Sequence, residues 1–215
     1  VSIVYGGFNA LAQNDLKKMI AYSSVSHMGF VLLGIASLTA EGLNGAVYQM
    51  VSHGILSAML FLVVGVLYDR THNRLIDSYR GLIAQMPQFT VLTGIAFFAS
   101  LGLPGFSGFV GELFTLMGGF KSAMLPTWLA ALGVLGIVLA AAYFLWTLQR
   151  MYFGPLWAKN NAEIALLSDL NTREKLMLIP LAMMTLLLGI FPSWVFEMTD
   201  KSVTILLKIF DSFLR

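Results

Sequence analysis

The 215-residue sequence contains no cysteine, and only 11% of its residues are charged. Without cysteine the chain forms no disulfide, no thiolate metal site and no cysteine-held iron–sulfur cluster. A soluble domain carries about 25% charged residues, so the shortage of charge argues against an ordinary water-soluble fold. The formal net charge is only +2, which makes nucleic acid a poor candidate partner.

Long apolar runs take the place of the missing charge. Hydrophobic residues make up 58% of the chain, and the mean hydropathy is +0.80. Runs near 20 apolar residues cross a bilayer as helices, whereas barrel strands are shorter and alternate. We therefore predict an all-α membrane protein, a polytopic helix bundle. Val1 lies in an apolar run too short to span, so we expect the later part of a larger protein.

The order of apolar and polar segments predicts five spans and a tail. Residues 1–13 read as the end of a truncated transmembrane helix. Residues 14–153 hold four spans, the third of them broken at residues 103–108. A loop and the last span follow at residues 154–198, and residues 199–215 form an amphipathic interfacial tail. Polar residues of the tail recur every three or four positions: Lys201, Thr204, Lys208, Asp211 and Arg215.

Basic residues test this count of spans. Alternating spans collect most of them on one side, which the positive-inside rule marks as cytoplasmic. The residues of that side are Lys17, Lys18, Arg70, Arg74, Arg80, Arg150, Lys159, Arg173 and Lys175.

The third span contains residues that no straight helix favours. Pro104 removes a backbone donor and clashes with the preceding turn, and Gly105 and Gly108 lower helix stability further. Glu112 follows this break within apolar sequence. A broken helix beside a buried carboxylate suggests an ion or proton site. Helix capping is a weaker explanation, because Glu112 lies several residues inside the second half-helix.

Three ionisable groups other than tyrosine lie near the centres of spans: His27, His53 and Glu112. Their similar depth predicts a lateral row at mid-membrane, in which imidazoles take and give protons near neutral pH. The alternative is that each histidine only packs against a neighbouring helix. Polar neighbours on the same faces are candidates to hold water beside the histidines. These supporting residues are Ser23, Ser26, Gln49, Ser52 and Ser57.

No pattern in the sequence indicates an active site that makes or breaks substrate bonds. A phosphate-binding glycine loop, metal-ligand spacing and a defensible Ser–His–Asp grouping are all missing. Redox chemistry needs a cofactor, and no binding signature for one is present, so we expect no catalytic residue, metal or cofactor in this chain.

Three stretches together carry a family resemblance: residues 15–30 (DLKKMIAYSSVSHMGF), 49–54 (QMVSHG) and 103–112 (LPGFSGFVGE). They resemble the antiporter-like membrane subunits of the proton-pumping NADH–quinone oxidoreductase, complex I. The Ser-His-Met-Gly sequence and the Gly-Glu after the break are most similar to the subunit M, or chain 4, family. The resemblance runs from Val1 to about Trp194.

The resemblance implies a fold of fourteen spans in two inverted five-helix repeats. This chain would carry the end of span nine and spans ten to fourteen, hence the second repeat with its broken twelfth span. His27 and His53 would be relay histidines, and Glu112 the terminal proton-exchanging group. FMN, iron–sulfur clusters and quinone would belong to other subunits. The expected partners are the other membrane-arm subunits and the lipid bilayer, most simply the bacterial plasma membrane.

Two other functions stay open at the level of sequence. One is a subunit of a multisubunit sodium–proton antiporter or membrane-bound hydrogenase with the same fold. The other is a truncated structural scaffold without transport, which dry surroundings of the two histidines would favour.

Overall fold

A computed structural model describes residues 1–214, with side chains for all of these except residues 161–163, 211, 213 and 214. The described chain is a bundle of nine α-helices with one short two-stranded sheet. The helices are α1 (Ser2–Leu11), α2 (Leu16–Ala36), α3 (Ala40–Thr71), α4 (Pro87–Ser100), α5 (Ser107–Lys121), α6 (Thr127–Tyr152), α7 (Asn161–Leu166), α8 (Thr172–Ile190) and α9 (Ser193–Leu214).

Polar caps set where several helices begin. The side chain of Asp15 accepts from the backbone N–H of Lys18 at the start of α2, and Thr39 caps α3 in the same way. Asn171 and Glu174 form a reciprocal capping box at α8. Within the described residues, α2, α3 and α6 are each long and apolar enough to cross a membrane. The 21 residues of α2 measure about 31 Å, close to the thickness of the hydrocarbon core.

The discontinuous helix predicted from the sequence is present. Helix α4 ends at Ser100 and α5 begins at Ser107, so the break occupies residues 101–106. Gly102 and Gly105 both have positive φ there, at 80° and 98°. The predicted break included Gly108, which is wrong, because this residue lies inside α5. Its missing side chain instead allows close packing: a Cβ at Gly108 would stand 2.3 Å from the carbonyl oxygen of Ala99.

A second break separates α8 from α9, and the sequence analysis did not predict it. The two helices meet at residues 191–192 with a bend of 63°. Pro192 cannot donate to the preceding turn, which explains why α8 stops there. Helix α9 therefore starts at Ser193, within the predicted last span, so the boundary placed near residue 199 is wrong. Arg215 of the predicted polar stripe lies outside the described residues, as does the side chain of Asp211.

The loops rich in basic residues share one end of the bundle. Strands β1 (Tyr79–Arg80) and β2 (Trp157–Ala158) pair antiparallel within the segments that connect α3 to α4 and α6 to α7. Leu16 donates its N–H to the carbonyl of Arg74, which joins the start of α2 to the loop after α3. Below this end, aromatic rings pack the core between α4 and α6: Phe89, Phe97, Phe144 and Tyr152.

Candidate functional site

A buried carboxylate and a buried imidazole meet where α2 faces α5. Nδ1 of His27 lies 2.9 Å from Oε1 of Glu112, which is hydrogen-bonding distance. The exposed fractions of the two residues are only 4% and 2%. Eleven residues of α2 precede His27, so its Cα lies about 16 Å along the helix from the first turn. The pair is therefore a polar contact deep inside an apolar bundle.

A second imidazole extends this pair into a row. His53 of α3 places its ring centroid 5.6 Å from that of His27, with the planes tilted by 42°. His27 thus adjoins both Glu112 and His53, so the structure brings together all three ionisable residues selected from the sequence. Among the residues that the structure describes, no hydrogen bond links the two imidazoles directly. A proton moving between them needs a bridging water or a side-chain rotation.

Helix α6 supplies a member of the site that the sequence analysis missed. The hydroxyl of Tyr143 lies 3.5 Å from Nε2 of His27, so both ring nitrogens of His27 face a polar partner. The adjacent Phe144 stacks on the His27 ring at 6.4 Å. Tyr143 lies in an otherwise apolar run, and no spacing rule connects it to α2. Only the packing of α6 against α2 brings the two residues together.

The helix break forms the floor beneath Glu112. A Cβ added at Gly102 would lie 2.8 Å from Oε2 of Glu112, so the carboxylate occupies the space that a side chain would need. Gly111 allows a similar close approach on α5, because its Cβ would stand 2.1 Å from Oε1 of Gln49. Gly105 is predicted from the sequence as part of the break and Gly102 is not, although both glycines flank Leu103-Pro104.

A narrow cavity adjoins the two histidines. Its walls combine polar side chains with the apolar Leu56 and Leu60, and they leave no room in it for a water molecule. The polar lining residues are His27, Gln49, His53 and Ser100. Two of its buried polar atoms, Oε1 of Gln49 and Oγ of Ser100, have no hydrogen-bond partner among the described residues. A buried polar atom without a partner costs about 1–3 kcal/mol. The cavity therefore holds unsatisfied hydrogen-bonding capacity directly beside the row.

The predicted supporting serines divide into two groups. Ser52 donates to the hydroxyl of Ser107 at 2.8 Å, which ties α3 to the start of α5 next to the cavity. Ser26 donates to the carbonyl of Ile3 in α1 at 2.8 Å. Ser23 and Ser57 donate to carbonyls of their own helices. Ser23 also lies within hydrogen-bonding reach of the Tyr143 hydroxyl. Among the described residues, neither Ser23 nor Ser57 hydrogen-bonds an imidazole.

The chemistry available to this arrangement is proton exchange. Two arrangements of the proton fit this contact. In one, neutral His27 donates Nδ1–H to ionised Glu112. In the other, protonated Glu112 donates to Nδ1 of His27, which then carries no hydrogen. Within the described part of the chain, no group of three or more His, Asp or Glu side chains is placed to hold a metal ion.

These features define a class: multi-span membrane proteins in which a carboxylate–imidazole row lies beside a discontinuous helix. Residues 1–140 match the family model described as "NADH:quinone oxidoreductase/Mrp antiporter, TM". The chain belongs to this family.

Individual relatives agree with the family match. The chain is 48% identical to NADH-quinone oxidoreductase subunit M of Rhodobacter capsulatus, over 97% of this chain and 40% of the relative. It is 44% identical to NADH-ubiquinone oxidoreductase chain 4 of Chondrus crispus, over 96% of this chain and 41% of the relative. The chain thus spans about two fifths of the length of the curated relatives it matches, and it corresponds to their C-terminal portion.

Solved structures show the same fold. A chain of respiratory complex I from Thermus thermophilus with bound NADH superimposes with a TM-score of 0.85 at 35% identity, over 96% of this chain and 43% of that one. A chain of the Mrp complex from Dietzia sp. DQ12-45-1b gives 0.83 at 20% identity, over 94% and 45%. The second likeness is one of fold alone.

Proposed function

We propose that this chain is a proton-translocating segment of the membrane arm of NADH–quinone oxidoreductase. In this role Glu112 takes up and releases a proton, and His27 and His53 pass it sideways through the bundle. The observation that carries the proposal is the row itself: three titratable groups on α2, α3 and α5, in contact or nearly so, within an apolar protein. The subunit M and chain 4 relatives support the assignment to this enzyme.

The Glu112–His27 contact is suited to proton transfer between the two side chains. A lone charge at the centre of a bilayer costs about 2.5–3.5 kcal/mol on insertion scales. Sharing a hydrogen bond with His27 offsets part of that cost for the ionised carboxylate. A change of charge in a neighbouring subunit would then shift the equilibrium between the ionised and protonated forms of Glu112.

Transfer from His27 to His53 requires a change in the cavity. The two orphan atoms, on Gln49 and Ser100, are positioned to hold a water molecule once the cavity widens. Such a water would gain hydrogen bonds that those atoms now lack. While the cavity is closed, the lateral path between the two imidazoles would be interrupted.

The energy for this step would come from outside the chain. We propose that quinone reduction elsewhere in the complex drives it, with FMN, iron–sulfur clusters and quinone held by other subunits. The partners are then the neighbouring antiporter-like subunits of the membrane arm and the surrounding lipid. In bacteria the arm would lie in the plasma membrane.

Replacing Glu112 with Gln tests the proposal. The amide keeps the shape and a hydrogen bond to His27 but cannot exchange a proton. We expect proton pumping by the reconstituted complex to fall about tenfold or more, with assembly on native gels unchanged. The matched control is Glu197→Gln, since Glu197 is an exposed carboxylate of α9 outside the row. Normal pumping by Glu112→Gln would contradict the proposed role.

A structural scaffold without transport is the second candidate, and the absence of room for water in the cavity favours it. The double change His27→Ala and His53→Ala distinguishes the two functions. A relay predicts pumping lowered about two- to tenfold, and single changes predict less, because water can bypass one ring. If the double variant pumps normally, the relay is withdrawn and the scaffold stands.

A subunit of a sodium–proton antiporter is a third candidate, because the matching family includes Mrp subunits. Isolation of the native assembly decides between complex I and the antiporter. Co-purification with NADH- and quinone-handling subunits supports complex I, and their replacement by other antiporter subunits supports the alternative.

A further inference from the structure

A second polar cavity opens at the far end of α6, away from the histidine row. It has a volume of about 390 Å³ and lies between the end of α6 and strand β1. Its polar walls are Arg80, Gln149 and Arg150, and its apolar walls are Trp146 and Phe153. None of these residues belongs to the proton-transfer proposal.

The charged side chains at the cavity sum to one net positive charge. Arg150 forms an ion pair with Asp77, so these two charges largely cancel. Arg80 stacks over the Trp157 ring at 5.8 Å and, among the residues described, has no carboxylate within ion-pair distance. One net positive charge therefore faces the cavity, which matches a single phosphodiester anion.

The aromatic side chains place this cavity at a membrane boundary. Trp146 and Phe153 are 46% and 48% exposed although both are large and apolar. Arg150 lies over the Trp146 ring at 4.7 Å. Tryptophan and arginine beside the end of a membrane-crossing helix are typical of the interface between hydrocarbon and water. The cavity thus lies at the end of α6, where lipid headgroups would be.

An apolar stripe leads from the cavity along the membrane-crossing length of α6. Leu145 and Val138 are 45% and 61% exposed, and they stand four and eleven positions before Gln149 on one face of the helix. A groove that is cationic at one end and apolar along the helix is complementary to a phospholipid with an anionic headgroup and an apolar acyl chain.

We propose that this cavity binds the phosphate of an anionic phospholipid, with Arg80 and Arg150 on the headgroup and an acyl chain along Leu145 and Val138. Basic pockets at the ends of membrane helices recognise such headgroups. Bound there, the lipid would bridge α6 to strand β1 and so hold the loop end of the bundle together. An acidic segment of a neighbouring protein would suit the arginines but would gain nothing from the lipid-facing stripe.

The test measures lipid retained by the native complex that contains this chain. Complex purified in detergent is incubated with phosphatidylglycerol and phosphatidylcholine in equal amounts, washed, and analysed by quantitative mass spectrometry. We expect phosphatidylglycerol to be retained in preference to phosphatidylcholine. The change Arg80→Gln together with Arg150→Gln should lower its retention by about one molecule per complex. Arg173→Gln, an exposed basic residue outside the cavity, should leave it unchanged.

Two further arms keep the result interpretable. Glycerophosphoglycerol, the headgroup without acyl chains, should fail to displace the lipid, and displacement by it would show a plain phosphate site and overturn the proposal. If the double variant does not assemble, Leu145→Ser replaces it, because this change leaves both arginines intact and should still weaken retention. Equal retention of both lipids by the unmodified complex would also overturn the proposal. The same holds if the double variant releases a neighbouring subunit but retains its lipid.

Discussion

Glu112 divides its two carboxylate oxygens between a side chain and the backbone, with Oε1 on His27 and Oε2 over Gly102. Its second carboxylate oxygen occupies the space above Gly102, a residue with φ of 80° at the start of the helix break. The break therefore does more than interrupt hydrogen bonding, because it creates a pocket without a side chain in which the carboxylate stays beside His27.

Gly102→Ala should disturb this arrangement. The new Cβ would stand 2.8 Å from Oε2 of Glu112, so the carboxylate must move away from His27. We expect pumping by the reconstituted complex to fall about tenfold, by loss of alignment. Gly105→Ala is the control: its φ of 98° imposes comparable backbone strain, and its Cβ would meet nothing within 4 Å in the described structure. Equal losses in both variants would show that backbone strain alone is responsible.

At the scale of elements, the first half of the broken helix is fixed from outside. Residue Met86 provides no side-chain cap to α4. Asp169 does so from the loop before α8, with its carboxylate accepting from the backbone N–H groups of Gln88 and Phe89, both at 3.0 Å. A carboxylate at a helix N-terminus also interacts favourably with the helix dipole. The position of α4 thus depends on a loop about 80 residues away in sequence.

Asp169→Ala should release this end of α4. Loss of a capping side chain costs about 1 kcal/mol, so we expect a lower midpoint of thermal unfolding in detergent, while Asp169→Asn keeps part of the effect. Asp69→Ala is the matched control, since Asp69 is an exposed carboxylate near the end of α3. An unchanged midpoint for Asp169→Ala would show that packing alone fixes α4.

Across the whole molecule, one arginine joins the central helices to the C-terminal ones. Arg70 at the end of α3 donates to both carboxylate oxygens of Glu174 on α8, at 2.8 and 2.7 Å. It also donates to the carbonyls of Ser168 and Asp169 in the preceding loop. Both charged side chains are about 90% buried, so each depends on the other for its partner.

Removing one member of this pair should cost more than removing both. Arg70→Ala leaves Glu174 buried and unpaired, and we expect a loss of about 3 kcal/mol in the free energy of unfolding. Arg70→Met combined with Glu174→Leu replaces the pair with apolar groups and should be closer to the unmodified protein. Thermal unfolding of the three proteins in one detergent measures this. A double variant as unstable as Arg70→Ala would show that the other hydrogen bonds of the two residues dominate, those of Arg70 to the loop carbonyls and of Glu174 in the capping box of α8.

The sequence alone determined the membrane class, the bundle, the discontinuous helix and the three ionisable residues of the row. Each follows from chain-local physics: apolar length, the backbone limits of Pro104 and its glycines, and the cost of placing charge in an apolar span. What those residues do remains a proposal.

Only the tertiary structure decided which groups meet. It placed His27 beside both Glu112 and His53, added Tyr143 and Ser100 to the site, and set Gly102 under the carboxylate. It also moved the start of the last helix to Ser193. Contacts between residues 85 or 116 positions apart depend on how whole helices pack, and the side-chain pattern within one helix does not determine how its partner is rotated.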